Sequence, residues 1–266
     1  MVTIARLTLP LILVLIFMPL PTLACEKLIV SANADNAPIS FDNKGNLTGI
    51  GFDLFGRLIS GLHTSIEITP PYPWKRVLSN SRYGKVDIII GVQKTVERMQ
   101  YLDFVEPAFT RTAHTVFFKK DKKNVIKSKE DLKYFRGGIT LGSALDENFT
   151  NFMMKDLQLD RVAAVEQNFL KLMAGRVDYF IAPLLPTINT IQAEHSSHLK
   201  NLAFLSVPVS VTEEYIAISK KSRCNSIKRE LSQLLQAIKS DRTFDMWLGN
   251  SMKDWGALDW YILNRG

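Results

Sequence analysis

Histidine and cysteine are scarce in this 266-residue chain, at four and two copies, and the scarcity excludes several chemistries. Neither G-x-S-x-G nor a Cys/His nucleophile signature occurs, so the common forms of nucleophilic catalysis have no carrier. There is no P-loop, and "GIGFDLFG" holds two close glycines at the wrong spacing for a dinucleotide fingerprint. His195 and His198 stand three apart in "AEHSSHLK", the edge of a two-ligand metal site, but no further Cys or His lies nearby and a polar helix end accounts for them. No metal or cofactor is expected. Internal repeats of about 20–50 residues and low-complexity tracts are also absent. The chain is basic, with 33 Lys and Arg against 26 Asp and Glu, net +7. Those cations are scattered, without an aromatic-interleaved basic helix, a finger or a helix-turn-helix, so nucleic acid is not the expected partner. An anionic small molecule suits the charge better.

One long uncharged run exists, at the start. After Arg6, Leu7 to Ala24 carry no ionisable side chain and close on "PTLAC". Residues 1–24 read as a secretory signal peptide; Pro10, Pro19 and Pro21 argue against the competing membrane span. Without the leader the chain keeps 32 basic against 26 acidic residues, a net +6. The two cysteines, Cys25 and Cys224, then sit in an oxidising compartment, where a disulfide between them is the natural expectation. Closing so long a loop would stabilise the fold by about 5 kcal/mol in the chain-entropy view. The alternative is lipidation of Cys25, since "TLAC" loosely matches a lipoprotein signal with Thr22 where Leu is wanted.

The rest alternates short apolar runs with helical periodicity. "LIVSA", a helix from about Phe52, "SIEIT", a helix from Trp74 to Arg82 and "VDIIIG" form one set. "GGITLG", "ALDENFTNFMMKDL", "RVAAVE", "QNFLKLMAGR" and "VDYFIAP" form a second. Two α/β units with mainly parallel sheets are expected. Ser128 with Asp131 three residues on suggests a helix N-cap. Beyond Ser226, Ile227, Leu231, Leu234, Leu235 and Ile238 share a helix face, before an aromatic end with Trp247, Trp255, Trp260 and Tyr261.

Candidate binding residues cluster at predicted strand ends, where α/β proteins collect ligands. Arg98 follows a strand in "GVQKTVERMQYLDF" and could grip a carboxylate through two parallel hydrogen bonds; a structural ion pair with Glu97, Asp103 or Glu106 is the competing reading. Gly142 and Ser143 in "LGSALDENF" lie between a strand and a helix, where backbone N–H groups and a hydroxyl meet an anion at a positive helix end. A plain Ser N-cap explains them equally well. Phe41 and Trp74 would give a flat apolar wall, against ordinary core packing, and Arg76 a second cation, against a solvated helix face.

Taken together and in order, "APISF", "GIGFDL", "GKVDIIIGVQKTVERMQYLDFVEPAF", "SKEDLKYFRGGITLGSALDENF" and "AGRVDYFIAP" resemble the family-3 extracellular solute-binding proteins, periplasmic receptors of polar amino-acid ABC transporters. The resemblance covers essentially the whole mature chain; Gly91 to Phe104 is its most specific piece, with Thr95, Glu97, Arg98, Asp103 and Phe104 in register. It implies an α/β, periplasmic-binding-protein-like fold: two lobes joined by two crossover strands, "RTAHTVFFKK" and "TEEYIAISKK". Lobe one would be 25–112 with 213–266, lobe two 113–212. It further implies that Arg98 and Ser143 hold a ligand carboxylate and that Phe41 and Trp74 pack on the ligand, beside Gly91 and Gly142. The protein would be a monomer serving an ABC permease or, alternatively, a membrane sensor. Two positions depart from the family pattern. Gln93 replaces a Ser or Thr that can still be matched in hydrogen bonding. Pro183 stands where amino-acid binders carry an Asp for the α-ammonium, and a carbonyl does not replace a counter-charge. Either Asp35, Asp146, Glu213 or Glu214 supplies it, or the ligand is an amine-free organic anion, a reading that Arg76 and Lys94 favour. A lyase on the same fold is the enzymatic alternative, with Asp146 and Glu147 as nearest acid–base candidates; the expectation is a binder, not an enzyme.

Overall fold

The computed structural model describes residues 25–253 except His63, Asn124 and Asp241. The expected signal peptide, Trp255, Trp260 and Tyr261 lie outside the described residues. The first part of the chain forms β1 (Lys27–Ala32), β2 (Asp35–Asn36), β3 (Ser40–Asn43), β4 (Asn46–Thr48), α1 (Ile50–Ile59), β5 (Ser65–Ile68), α2 (Trp74–Arg82), β6 (Ile88–Gln93) and α3 (Val96–Met99). The second part forms β7 (Leu102–Lys119), β8 (Arg136–Thr140), α4 (Glu147–Asp156), β9 (Gln158–Val162), α5 (Val165–Met173), β10 (Tyr179–Pro183), α6 (Leu184–His195), β11 (Leu202–Phe204), β12 (Ser210–Ser219), α7 (Lys228–Ser240) and α8 (Arg242–Lys253). Helical periodicity explains α1: Leu54, Phe55, Leu58 and Ile59 are buried on one face, with Asp53 and Arg57 off it. On α7, Leu231 and Leu235 are buried, while Leu234 and Ile238 pack partly against the same core.

The strands run β5-β1-β6-β12-β7-β10-β8-β9, with β11 on β7, and β2-β3-β4 form a small separate sheet. Parallel pairing holds for β5-β1-β6 and for β10-β8-β9. The sheet is mixed rather than mainly parallel, because β12 and β7 enter antiparallel to their neighbours. These two strands pair with each other from Ser210 opposite His114 to Ser219 opposite Leu102, and they pass between two groups of buried side chains. Leu54, Ile88, Val105, Phe109, Ile216 and Leu235 pack in one core, with Val77, Ile89 and Phe104 on the other sheet face. Val116, Phe118, Ile139, Phe149 and Ile181 pack in another, flanked by Phe117, Phe169, Phe180 and Ile191.

Cys25 and Cys224 form a disulfide. It ties the residues before β1 to the turn before α7, joining partners 199 positions apart in sequence, so the Cys25 sulfur is bonded to Cys224 and not to a lipid. At Ser128 the expected helix cap is reversed. Asp131 is the acceptor, taking hydrogen bonds from the Lys127 and Ser128 amides at 2.9 Å each and from the Ser128 hydroxyl at 3.2 Å, which lowers its pKa. An ionised carboxylate gathers several donors more effectively than a hydroxyl caps one. Among the described residues, no helix is long and apolar enough to cross a membrane.

Candidate functional site

Arg98 sits on α3, a single turn capped by Thr95, whose hydroxyl accepts from the Arg98 amide at 3.1 Å. Its side chain is buried, 4 % exposed, and burial lowers its pKa, opposed chiefly by nearby Tyr101, Glu97 and Glu214. The three acids of the competing ion-pair reading are engaged elsewhere. Glu97 pairs with Arg82 at 3.0 Å, Glu106 with Lys94 at 2.6 Å, and Asp103 accepts from Asn225 at 2.9 Å. Arg98 instead donates Nη1 to the Gln93 carbonyl at 2.8 Å and to Gln93 Oε1 at 2.9 Å, and Nη2 to the Gly142 carbonyl at 2.7 Å. Trp74 Nε1 donates to that same carbonyl at 3.1 Å, and the guanidinium lies 5.5 Å from the Trp74 ring. Gly142 has φ +82, and a Cβ there would come within 3.1 Å of Trp74 Cδ1. The glycine thus lets the β8–α4 loop reach the α2 and α3 side of the cleft.

This partition separates two hollows between the cores. One is a cavity of about 50 Å³ lined from one side by Trp74, Gly91 and Gln93 and from the other by Thr140, Ser143 and Thr187. The other is a wider recess of about 600 Å³ reached by Lys75, Arg98, Tyr101, Leu141, Ser143 and Met153. Ser143 borders both, but it does not cap a helix. Its amide bonds the Thr140 carbonyl at 3.2 Å, and α4 is capped by Asp146, whose carboxylate accepts from the Phe149 amide at 3.0 Å. The expectation of an N-cap at Ser143 is therefore corrected: Asp is as good a cap, and the chain needs three more residues to turn onto α4.

Behind Gly91, Gln93 and Asn36 lies a group that the sequence reading named only as one of four candidate acids. Glu214, on β12, has no exposed surface. Its Oε1 accepts from Thr112 Oγ1 at 2.6 Å and Gln93 Nε2 at 3.2 Å, and Asn36 Nδ2 reaches both its oxygens at 3.1 and 3.3 Å. Desolvation pushes its pKa up to about 7, opposed by those three hydrogen bonds and by Arg98. The Gln93 amide therefore links the buried anion to the buried cation, its nitrogen on Glu214 and its oxygen on Arg98. Gly91, at φ +73, leaves space for this: a Cβ there would lie 3.2 Å from Glu214 Oε2 and 2.9 Å from Ile39 Cγ2.

The remaining candidates scatter. Pro183 lines the small cavity and caps α6. Phe41 lies on β3, paired with Asp35 and Thr48 in the small sheet, and is not among the residues lining either hollow. Arg76 is exposed and stacks on Tyr72 at 4.3 Å, likewise away from both hollows, because it falls on the solvent side of α2. Of the other acids, Glu213 accepts from the Tyr215 hydroxyl at 2.7 Å, and Asp35 borders the cavity, its pKa raised by burial and then by Glu166 and Asp42. His195 Nε2 lies 2.9 Å from Glu166 Oε1, and with Glu194 these residues bring ligand-type atoms within 4.8 Å of one another at a partly exposed place. Asn36, His114, Thr140 and Thr187 also line the cavity and were not anticipated. His114 offered the only signal, as an isolated histidine within an apolar crossover strand.

Two packed α/β cores, a pair of long connecting strands and a cleft with a buried cation are the architecture of a solute-binding protein. The family model of the bacterial extracellular solute-binding proteins, family 3, matches residues 28–250, and the chain belongs to that family. The L-cystine-binding protein TcyJ of Escherichia coli (strain K12) is 23% identical over 232 residues, covering 84% of this chain and 82% of TcyJ. Among solved structures, an ancestral arginine-binding protein bound to arginine superposes with a TM-score of 0.70 at 23% identity, covering 86% of this chain and 97% of its own. A histidine kinase sensor domain with similarity to periplasmic binding proteins reaches 0.72 at 19% identity, covering 87% and 96%. The fold is thus periplasmic-binding-protein-like.

Proposed function

We propose that this protein is a periplasmic solute receptor that closes two lobes, residues 25–112 with 213–266 and residues 113–212, on a small carboxylate-bearing ligand, a polar amino acid in the first place, and delivers it to an ABC permease. The observation that carries this reading is the buried Arg98 guanidinium, which faces the cleft and hydrogen-bonds two carbonyls and an amide oxygen but no carboxylate. A buried cation is stabilised by a paired anion, and a ligand carboxylate meets a guanidinium through two charge-assisted hydrogen bonds. The cystine-binding and arginine-bound relatives support an amino acid as that ligand. A cavity of about 50 Å³ is well below the ~300 Å³ at which ordinary ligand sites begin, so ligand entry requires the lobes to part. Binding rather than catalysis fits Glu214, whose raised carboxyl lies behind Asn36 and Gln93 without exposed surface. The sensor-domain neighbour favours one second reading, in which the same closure is presented to a membrane sensor.

The test is a thermal-shift screen of the mature protein against amino acids, followed by calorimetry on Arg98→Ala. A ligand that binds only the native state raises the midpoint with concentration. Loss of the charged hydrogen bonds should weaken binding by about 1.5–3 kcal/mol with an unchanged circular dichroism spectrum. Equal affinity in the variant would remove Arg98 from ligand recognition.

A further inference from the structure

The end of the small cavity beside β10 holds polar atoms that no protein group satisfies. Pro183 pairs across the sheet with His114 of β7, and Thr187 lies one helical turn beyond Pro183 on α6. Both side chains are buried, at 3 % and 0 % exposure, and both residues line the cavity. Yet His114 Nδ1 and Thr187 Oγ1 have no hydrogen-bond partner. A buried polar atom left unpaired is destabilising, so such atoms call for an explanation, and two of them on one cavity wall point to a ligand.

What these atoms offer is mostly electron pairs. Burial pulls the His114 pKa down to about 4, against a hydrogen bond to the Thr112 backbone and the charge of Asp146, so the ring is neutral at pH 7. A neutral imidazole carries one N–H and one lone pair, and the tautomer with its proton on Nε2 presents the lone pair at the unpartnered Nδ1. Asn36 gives its Nδ2 to the two Glu214 oxygens, which turns its Oδ1 away from that carboxylate. Asp35 borders the same cavity. Acceptors backed by negative charge select a donor that carries positive charge.

We propose that His114, Thr187 and Asn36 form an amine subsite, in which the protonated amine of the ligand donates to His114 Nδ1, Thr187 Oγ1 and Asn36 Oδ1 while Glu214, behind Asn36, supplies the counter-charge that Pro183 lacks. The inference rests on the carboxylate-receptor reading: Arg98 lines the wider recess and these residues the small cavity, so one ligand meets both poles once the Gly142 partition parts. It makes the ligand an amino acid and not an amine-free acid. Thr187 is the specificity residue that touches the ligand; Glu214 acts through Asn36 and is a positioning residue.

The test uses calorimetry on the mature protein with the twenty L-amino acids and L-cystine, each beside the acid of the same carbon chain without its α-amine. Wild type, Thr187→Val, Glu214→Gln and Arg98→Ala are compared. The expected result is that the best amino acid binds wild type at least about a hundredfold more tightly than its amine-free partner. Thr187→Val, which loses an unpaired hydroxyl and keeps its shape, should melt no lower without ligand and bind the amino acid about tenfold more weakly, the equivalent of one hydrogen bond. Its affinity for the amine-free acid should stay within about twofold. Glu214→Gln should narrow the same discrimination, and Arg98→Ala should weaken both ligand types. Equal loss of both ligand types in Thr187→Val and Glu214→Gln overturns the subsite. Binding of amine-free acids alone also overturns it, while leaving the carboxylate reading intact. If no acid of either kind binds, the carboxylate reading falls and the subsite falls with it.

Discussion

Glu214 and Arg98 are both buried, yet each is met mainly by neutral dipoles, with the Gln93 amide between them. Such an arrangement ties charge state to stability. Glu214 titrates near 7 in the fold against an ordinary value of 4.5, so between those values the native protein holds a proton that the unfolded chain has released. Native stability from this group is therefore greatest below about pH 4.5, falls as pH rises toward 7, and levels above it. Urea midpoints at pH 5 and pH 8 should show wild type losing more stability on going to pH 8 than Glu214→Gln does; parallel behaviour of the two proteins would show that Glu214 does not titrate in this window. Legibility at this scale was uneven. Arg98 was readable because its place after an apolar run and before "YLDF" is local. Phe41 and Arg76, expected at the ligand, line neither hollow, since the face onto which a loop or helix residue turns is set by what packs against it.

The elements that shape the cleft depend on short local devices. Gly91 lies within the buried part of β6 at φ +73 and sits against both Ile39 and Glu214. Gly91→Ala should cost about 1–2 kcal/mol for the left-handed backbone, with a further loss from the crowded Ile39 methyl. Because the new methyl would press on Glu214 Oε2, ligand affinity should fall together with the urea midpoint; an unchanged midpoint would mean that the β6 end relaxes freely. The helices were readable from periodicity, as α2 and α5 show, and α2 starts at Trp74 as expected, whereas the cap of α4 was not readable. Asp146 rather than Ser143 caps α4, because Ser and Asp are near-equivalent caps by propensity and the path of the loop decides between them.

At the scale of the molecule, β7 and β12 link two cores, and over the cleft Arg98 and Trp74 meet the Gly142 carbonyl while Leu185 of α6 packs against the first core. Two connecting strands with separate cores on either side suit opening in the manner of hinge closure. Small-angle scattering should show a smaller radius of gyration with saturating amino acid than without; an unchanged radius would count against a two-lobed clamp. From the sequence by itself follow the alternation of strands and helices, the family register around Gly91 to Phe104, the scarcity of catalytic side chains and the pairing of the two cysteines, all of them properties of local pattern or of composition. Only the tertiary structure decides which acid is buried behind the cleft. Glu214 meets Asn36 across 178 residues and Gln93 across 121, and its burial arises because β6, β7 and β12 lie side by side. His114 and Thr187 likewise become candidate ligand contacts only where β7 and α6 converge on one cavity wall, since whether a polar atom lacks a partner depends on everything packed around it and on nothing in its own neighbourhood of sequence.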